Sequence, residues 1–266
     1  MYYYQYNRII VLFYGQIMPV FMSPKNKHFM DKAMGLIKKI VKNVLPFYFV
    51  SKYQKRNYAH YISCEIMMAL DRERKNFVFE NEYIRASSLE LIANEIYDKN
   101  IDGNVAELGV YRGDFAKIIN RAFPDRKLYL FDTFEGFDQR DVKIELEKNY
   151  STGEQNFSDT SIELVLSKME NKDNCIIKKG FFPETANDVN DIFAFASIDV
   201  DLYEPMYKGL HFFYERLSHG GYILLHDYNN KEYNGVKSAL RKFCGEKNVP
   251  YFPICDSWGS AIIMKP

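Results

Sequence analysis

Residues 104–113 (NVAELGVYRG) decide the fold of this chain. The apolar first half of the run is typical of a short buried strand, and the glycines that follow predict a tight turn into a helix. Beyond it, strand and helix patterns alternate, which indicates βαβ units and a parallel sheet. Glu107 stands at the end of this first strand, at the edge where open α/β sheets bind their ligands.

Outward from that run, the chain predicts four more parallel strands and a terminal antiparallel pair. These six strands cover residues 127–133, 174–179, 192–200, 222–225, 251–255 and 260–264, and the helices cover 82–98, 114–123, 158–169, 203–217 and 235–244. Gly220 and Gly221 are expected to turn the chain into the fifth strand. Too few residues separate the last two strands for a crossover, so they should form a hairpin. The predicted fold is a doubly wound, mostly parallel seven-stranded α/β sheet with this hairpin at its C-terminal end.

The ends of the first two strands carry acids instead of the glycine pattern of a dinucleotide site. A G-x-G-x-x-G turn lets backbone amides approach a pyrophosphate, whereas this chain has E-x-G-x-x-x-G. Asp132 ends the second strand, 132 − 107 = 25 positions after Glu107, and an acid there can accept hydrogen bonds from ribose hydroxyls. S-adenosylmethionine carries an ammonium and a sulfonium cation, so the acidic pattern favours it as the ligand.

The fourth and fifth strands bring further polar side chains to the same edge. Asp199 and Asp201 follow the fourth strand, and His226 and Asp227 follow the fifth. Such a cluster can bind a divalent ion or supply a general base to an acceptor hydroxyl. The alternative is helix capping by Asp201 and turn formation by Asp227. Four polar groups on adjacent strand ends favour a functional site.

Two other segments border the predicted site. Residues 135–157 are polar, show few regular signals and are expected to form a surface loop or lid. In the helix over residues 82–98, Tyr83 or Arg85 has the position to reach a bound ligand. The expectation for Arg85 is nevertheless a surface position, because arginine is seldom fully buried.

Composition excludes several classes of protein. The 266 residues contain 35 Lys and Arg against 35 Asp and Glu, so the net charge of zero argues against nucleic-acid binding by bulk electrostatics. With 47% hydrophobic residues the chain can bury a substantial core. The four cysteines are Cys64, Cys175, Cys244 and Cys255. Their wide spacing argues against a zinc site and suits reduced thiols in the cytoplasm.

Residues 1–80 form a separate N-terminal, basic and aromatic helical arm in this interpretation. Their apolar patches fall short of a membrane span and lack a convincing signal-peptide cleavage site, and Met22, Met30 and Met34 are alternative start sites. Residues 35–45 separate apolar and lysine positions onto opposite helix faces. Three roles of this segment stay open: packing on the chain's own domain, homo-oligomer formation, or peripheral contact of residues 35–50 with the inner face of a membrane.

Six sequence runs resemble the macrocin O-methyltransferase family. They are NVAELGVYRG at 104–113, FDTFEGF at 131–137, SDTS at 158–161, GFFPET at 180–185, SIDVDLYEP at 197–205 and GGYILLHDY at 220–228. The resemblance covers roughly residues 80–265 and implies a Rossmann-like class I methyltransferase domain over residues 81–266. It further implies methyl transfer from S-adenosylmethionine to a sugar hydroxyl, in natural-product glycosides or surface polysaccharides.

The resemblance also implies roles for individual residues. The donor-binding residues would be Glu107, Gly109, Tyr111, Gly113, Asp132, Thr133, Gly180, Phe182 and Asp199. Asp201 would be the general base, and Asp199 and Asp227 would bind a divalent metal, Mg²⁺ or Mn²⁺, together with His226. The family commonly has a second Asp where this chain has His226. Imidazole suits manganese or zinc better than magnesium, which leaves both the need for a metal and its identity open.

Three other functions stay open at this point. The chain could methylate a nitrogen or a non-sugar hydroxyl, although a neutral amine needs less help from a base than the acid pair offers. A dehydrogenase or nucleotide-binding protein is disfavoured by the missing G-x-G-x-x-G pattern. A catalytically silent binding module is disfavoured because Asp199, Asp201 and Asp227 are all present.

Overall fold

A computed structural model describes residues 82–266, and the predictions for the N-terminal arm lie outside this part of the chain. The helices are α1 (Tyr83–Asp98), α2 (Asp114–Ala122), α3 (Gln139–Lys148), α4 (Ile162–Ser167), α5 (Tyr203–Arg216) and α6 (Asn234–Lys247). The strands are β1 (Asn104–Leu108), β2 (Leu128–Asp132), β3 (Cys175–Lys179), β4 (Phe193–Ile198), β5 (Leu217–Leu225), β6 (Phe252–Pro253) and β7 (Ala261–Met264). Within these residues no helix combines the length and the apolar character needed to cross a membrane.

The seven strands form one sheet in the order β3-β2-β1-β4-β5-β7-β6. The first five strands are parallel, and β7 runs antiparallel to both β5 and β6. The predicted doubly wound sheet and its C-terminal hairpin are therefore confirmed. The strand order reverses at β1, so the carboxyl ends of β1 and β4 flank the switch point at which such sheets bind ligands.

Both faces of the sheet are covered, which explains why its central strands are almost continuously apolar. Val105 and Leu130 point into one core with residues of α1 and α2. Ala106 and Phe131 point into the opposite core with residues of α5 and α6. The period-two alternation of each strand thus separates two buried layers, and only the strand ends are left for polar chemistry.

The fifth strand begins earlier than predicted, because Gly220 and Gly221 lie inside it instead of forming a turn before it. The pairing with β4 jumps from Leu217 opposite Phe193 to Tyr222 opposite Phe195, which marks an irregularity. A Cβ on Gly221 would lie 2.9 Å from the Ala194 carbonyl oxygen. The glycines therefore permit a close approach of two backbones within the sheet.

Two further expectations about helices were wrong. The stretch predicted as a loop contains α3, capped by Asp138, whose side chain accepts a hydrogen bond from the Arg140 amide at 2.9 Å. Helix α4 is capped by Ser161, not by Ser158 or Asp159. Asp159 instead accepts a hydrogen bond from the hydroxyl of Tyr111.

Candidate functional site

A cavity of about 540 Å³ lies at the carboxyl ends of β1, β2, β4 and β5. It brings together most of the side chains and turns that the sequence predicts for the site. These are Glu107, Gly109, Tyr111, Asp132, Thr133, Gly180, Phe182, Asp199, Asp201, His226 and Asp227. The parallel topology explains the convergence, since every one of these residues lies at or just beyond the end of a strand.

The two glycines of the first turn have different functions. Gly109 has φ 85°, and a Cβ there would lie 1.9 Å from the Asp199 backbone oxygen, so only glycine fits. Gly113 is not among the residues that line the cavity, and its role in donor binding stays a prediction. It precedes α2 with φ 75°, and a Cβ there would press on Val165. Glycine is required at position 113 because of the backbone conformation and the close packing against α4.

Glu107 is buried and lacks a complete set of partners. Its side chain is 1% exposed, and its Oε2 atom accepts no hydrogen bond from the residues that the structure describes. Burial raises the pKa of Glu107 well above its ordinary value, and the nearby Arg85 opposes that change only in part. A buried acceptor in this condition is costly unless a ligand donates to it.

Asp132 organises the turn that follows β1. Its Oδ2 accepts hydrogen bonds from the backbone amides of Val110 at 2.7 Å and Tyr111 at 2.8 Å. Its Oδ1 accepts one from Phe134 at 2.7 Å. The first two bonds hold the turn after β1 in place beside the cavity, and the third shapes the backbone just after β2. The role of Asp132 in binding a ribose stays a prediction, for which Oδ1 has acceptor capacity to spare.

Arg85 is buried at the site, so the expectation of a surface position was wrong. Only 1% of the residue is exposed. Its guanidinium donates to Asp199 Oδ2 at 2.8 Å and to Ser197 Oγ at 3.1 Å, and it also contacts Glu82 at 3.2 Å. Its Cζ lies 3.8 Å from the centre of the Phe115 ring. Helix α1 therefore contributes a fixed cation to an otherwise acidic strand edge.

Asp199, His226 and Asp227 form a compact cluster. His226 Nδ1 lies 3.1 Å from Asp199 Oδ1 and 2.7 Å from Asp227 Oδ2, and Nε2 lies 3.3 Å from Glu82 Oε1. Burial disfavours the charged forms of both Asp199 and His226. Nevertheless, His226 and Arg85 hold the pKa of Asp199 below its ordinary range, and Asp199 holds the pKa of His226 well above its own. The cluster is thus a network of tightly paired charges.

Asp201 differs electrostatically from Asp199. Burial raises its pKa well above the ordinary value, and the carboxylates of Asp227 and Asp199 raise it further. Asp201 and Asp227 both adopt left-handed backbone conformations, with φ 59° and 60°. Such backbone strain in non-glycine residues is concentrated at functional sites. An ionised carboxyl in this environment is a strong proton acceptor.

Helix α3 supports this strand end through a buried acid that sequence reasoning missed. Glu145 is 0% exposed. Its Oε1 accepts a hydrogen bond from the Tyr203 amide, and its Oε2 accepts one from Ser151 Oγ at 2.8 Å. Tyr203 is the first residue of α5, which follows Asp201 closely. Glu145 therefore satisfies a free amide at the start of α5 and ties α3 to the loop that carries Asp201.

Comparisons with known proteins give a family match and structural likenesses. A family model described as macrocin-O-methyltransferase (TylF) matches residues 81–258. No curated protein sequence matches the chain. The structure of the O-methyltransferase NovP is 22% identical with a TM-score of 0.56, over 69% of this chain and 81% of that chain. The structure of CalS11, a calicheamicin methyltransferase, is 20% identical with a TM-score of 0.56, over 68% and 78% of the two chains. These two likenesses establish the shared fold.

Proposed function

The chain belongs to the macrocin-O-methyltransferase family and is an S-adenosylmethionine-dependent O-methyltransferase, and on that premise we propose that its acceptor is a sugar hydroxyl. The observation that carries the proposal is the position of Asp201, a partly buried acid in the same cavity as the predicted donor-binding residues. A sugar hydroxyl is a weak nucleophile at neutral pH and needs such a base.

We place the donor along the ends of β1, β2 and β3. Glu107, whose Oε2 has no partner among the described residues, would accept a hydrogen bond from the ammonium of the methionine part. The ribose would lie at Asp132, and the adenine would lie beside Gly180 and Phe182. The acidic surroundings bind S-adenosylmethionine, whose sulfur is positively charged, more tightly than S-adenosylhomocysteine, whose sulfur is neutral. This difference assists release of the product after transfer.

In the reaction, the acceptor oxygen attacks the methyl carbon while the bond from that carbon to sulfur breaks. Asp201 takes the hydroxyl proton, and the products are a methyl ether and S-adenosylhomocysteine. The protein's main contribution is to hold oxygen, carbon and sulfur in line. The turn at Gly109, fixed against Asp199, and the loop braced by Glu145 position the two reactants.

The family also implies a divalent ion, and the cluster of Asp199, His226 and Asp227 has the geometry to hold one. Each residue offers one ligand atom, and these atoms lie within 4.8 Å of one another. Two carboxylates and an imidazole fit Mn²⁺ or Zn²⁺ better than Mg²⁺, which prefers oxygen ligands alone. When bound, such an ion would lower the pKa of the sugar hydroxyl.

Replacing His226 by Asp should shift the ion preference toward Mg²⁺. We expect the ratio of Mg²⁺ to Mn²⁺ affinity to rise by about tenfold or more, roughly 1.4 kcal/mol. The measurement is calorimetric titration of each ion into protein saturated with S-adenosylhomocysteine. His219→Asp is the matched control, because His219 is exposed at the amino end of β5. An unchanged ratio in His226→Asp would count against His226 as a ligand.

The acceptor class is tested by release of S-adenosylhomocysteine. Purified protein with S-adenosylmethionine and Mn²⁺ is offered three sets of acceptors: sugars and glycosides, phenols and catechols, and primary amines. We expect product only with the carbohydrate set, because the acid at Asp201 suits an alcohol hydroxyl. Turnover of an amine or a catechol instead would replace the sugar proposal by one of its rivals.

A further inference from the structure

The first turn of helix α3 brings a buried acid to the donor-binding cavity. Asp141 lines the cavity, although only 6% of the residue is exposed. Within residues 82–266 its carboxyl accepts no hydrogen bond and forms no direct ion pair. A carboxyl group taken out of water in this way loses free energy that a bound ligand can restore by donating a hydrogen bond.

The cations near Asp141 are engaged elsewhere. Lys208 acts on it most strongly, but the Lys208 ammonium pairs with Glu204 at 3.2 Å. The guanidinium of the adjacent Arg140 pairs with Glu184 at 2.9 Å. Burial raises the pKa of Asp141 to about 7, and the two cations oppose that change only in part. The surroundings therefore leave room for a hydrogen-bond donor from a ligand.

The same turn of α3 lies against the segment after β3, where we place the adenine. Arg140 Cζ lies 3.4 Å from the centre of the Phe181 ring, and Lys208 Nζ lies 5.7 Å from that centre. Phe181 is the middle residue of the run 180–182, all of which line the cavity. Asp141 follows Arg140 in the chain and interacts with Lys208, so it belongs to the adenine end of the cavity.

Asp141 is electrostatically separate from the base at the other end of the cavity. Asp201 is influenced most by its own neighbours, Asp227, Asp199 and His226. None of these four residues is among the charged groups that act most strongly on Asp141. Those groups come from α3 with its cap and from α5, and they are Lys208, Asp138, Glu204 and Arg140.

The chemistry of the methyl donor supplies a partner for this acid. S-adenosylmethionine donates hydrogen bonds through its ammonium, its ribose hydroxyls and the amino group of its adenine. In the placement above, Glu107 receives the ammonium and Asp132 the ribose. The amino group is the remaining donor, and it belongs to the end of the ligand that lies beside residues 180–182. A carboxylate there attracts an amino group and repels a carbonyl oxygen in the same position.

We propose that Asp141 accepts a hydrogen bond from the exocyclic amino group of adenine and so determines the base specificity of the donor site. This inference rests on the placement of the donor in the proposed function. The specificity residue then comes from α3, the helix within the stretch that the sequence predicts as a loop, and not from a strand end.

Calorimetry with two ligands tests the proposal at pH 8, where the Asp141 carboxyl is mostly ionised. The ligands are S-adenosylhomocysteine and S-inosylhomocysteine, in which a carbonyl oxygen replaces the amino group. We expect the unaltered protein to bind the adenine ligand at least about tenfold more tightly. Asp141→Asn should weaken that binding by about tenfold, because the acceptor loses its charge. Its amide can donate to the carbonyl oxygen, so the preference should narrow to within about threefold.

Glu147→Gln is the matched control. Glu147 is an acid of the same helix whose side chain is 63% exposed, and it does not line the cavity. The control should bind both ligands as the unaltered protein does. A loss that reflected only a change of charge on α3 would appear in both variants.

Three results would overturn the assignment of Asp141. They are equal affinity of the unaltered protein for the two ligands, an unchanged preference in Asp141→Asn, and a variant whose Michaelis constant rises for the sugar acceptor while donor binding stays the same. The last result would place Asp141 against the acceptor instead. Failure of the donor placement is distinguishable, because the unaltered protein would then bind neither ligand.

Discussion

Replacing Asp201 by Asn should reduce methyl transfer by about 10²- to 10⁴-fold, the usual contribution of a general base. The amide is similar in size to the carboxyl but cannot accept the hydroxyl proton. Donor binding should be preserved, because the turn at Gly109 and Glu107, whose Oε2 has no hydrogen-bond partner among the described residues, are untouched by the change. The measurements are the turnover number with a sugar acceptor and the affinity for S-adenosylhomocysteine by calorimetry.

Asp102→Asn is the matched control for this change. Asp102 is exposed and precedes β1, at the opposite edge of the sheet from the cavity. The control should keep full turnover. Turnover of Asp201→Asn within a few-fold of the unaltered enzyme would remove Asp201 as the base and leave alignment of the reactants as the main source of catalysis.

Replacing Arg85 by Met should destabilise the protein by about 3–5 kcal/mol, because it removes the buried arginine that pairs with Asp199 and leaves His226 as the remaining cation of the network. Asp199 would lose a hydrogen bond of 2.8 Å and Ser197 one of 3.1 Å. Methionine fills much of the arginine volume, so the loss reports on charge more than on packing. Urea denaturation followed by circular dichroism measures the free energy of unfolding.

Arg121→Met provides the comparison. Arg121 pairs with Glu170 at the surface, where the side chains are 33% and 55% exposed. Removal of a surface ion pair of this kind should cost no more than about 1 kcal/mol. Equal losses in the two variants would mean that the pairing of Arg85 with Asp199 contributes little to stability.

The sheet was predictable because its signals are local. Buried parallel strands are nearly continuous apolar runs, and the acids that interrupt them mark their ends. All seven predicted strands and the family suggested by the six sequence runs are confirmed. The acids and His226 were predicted to meet because parallel strands place their carboxyl ends at one edge, and the structure brings them together.

Other features were missed for equally physical reasons. Helix α3 buries the acids Asp141 and Glu145 beside Val142, and its sequence is so polar throughout that it is typical of a surface loop. The burial of Arg85 depends on partners 112 and 114 positions away, Ser197 and Asp199, which no local pattern reports. That the Tyr233 hydroxyl has no hydrogen-bond partner within residues 82–266 likewise emerges only from the packing of side chains around the cavity.

The most direct test of the account is calorimetric titration of the folded protein with S-adenosylhomocysteine, comparing the unaltered chain with Glu107→Gln. The account predicts saturable binding at one site, and an affinity at least about tenfold weaker in Glu107→Gln, since the buried acceptor for the ligand's ammonium loses its charge. Absence of binding to the unaltered protein would contradict the assignment of this cavity as the donor site. Equal affinity in the two proteins would show that Glu107 does not hold the donor.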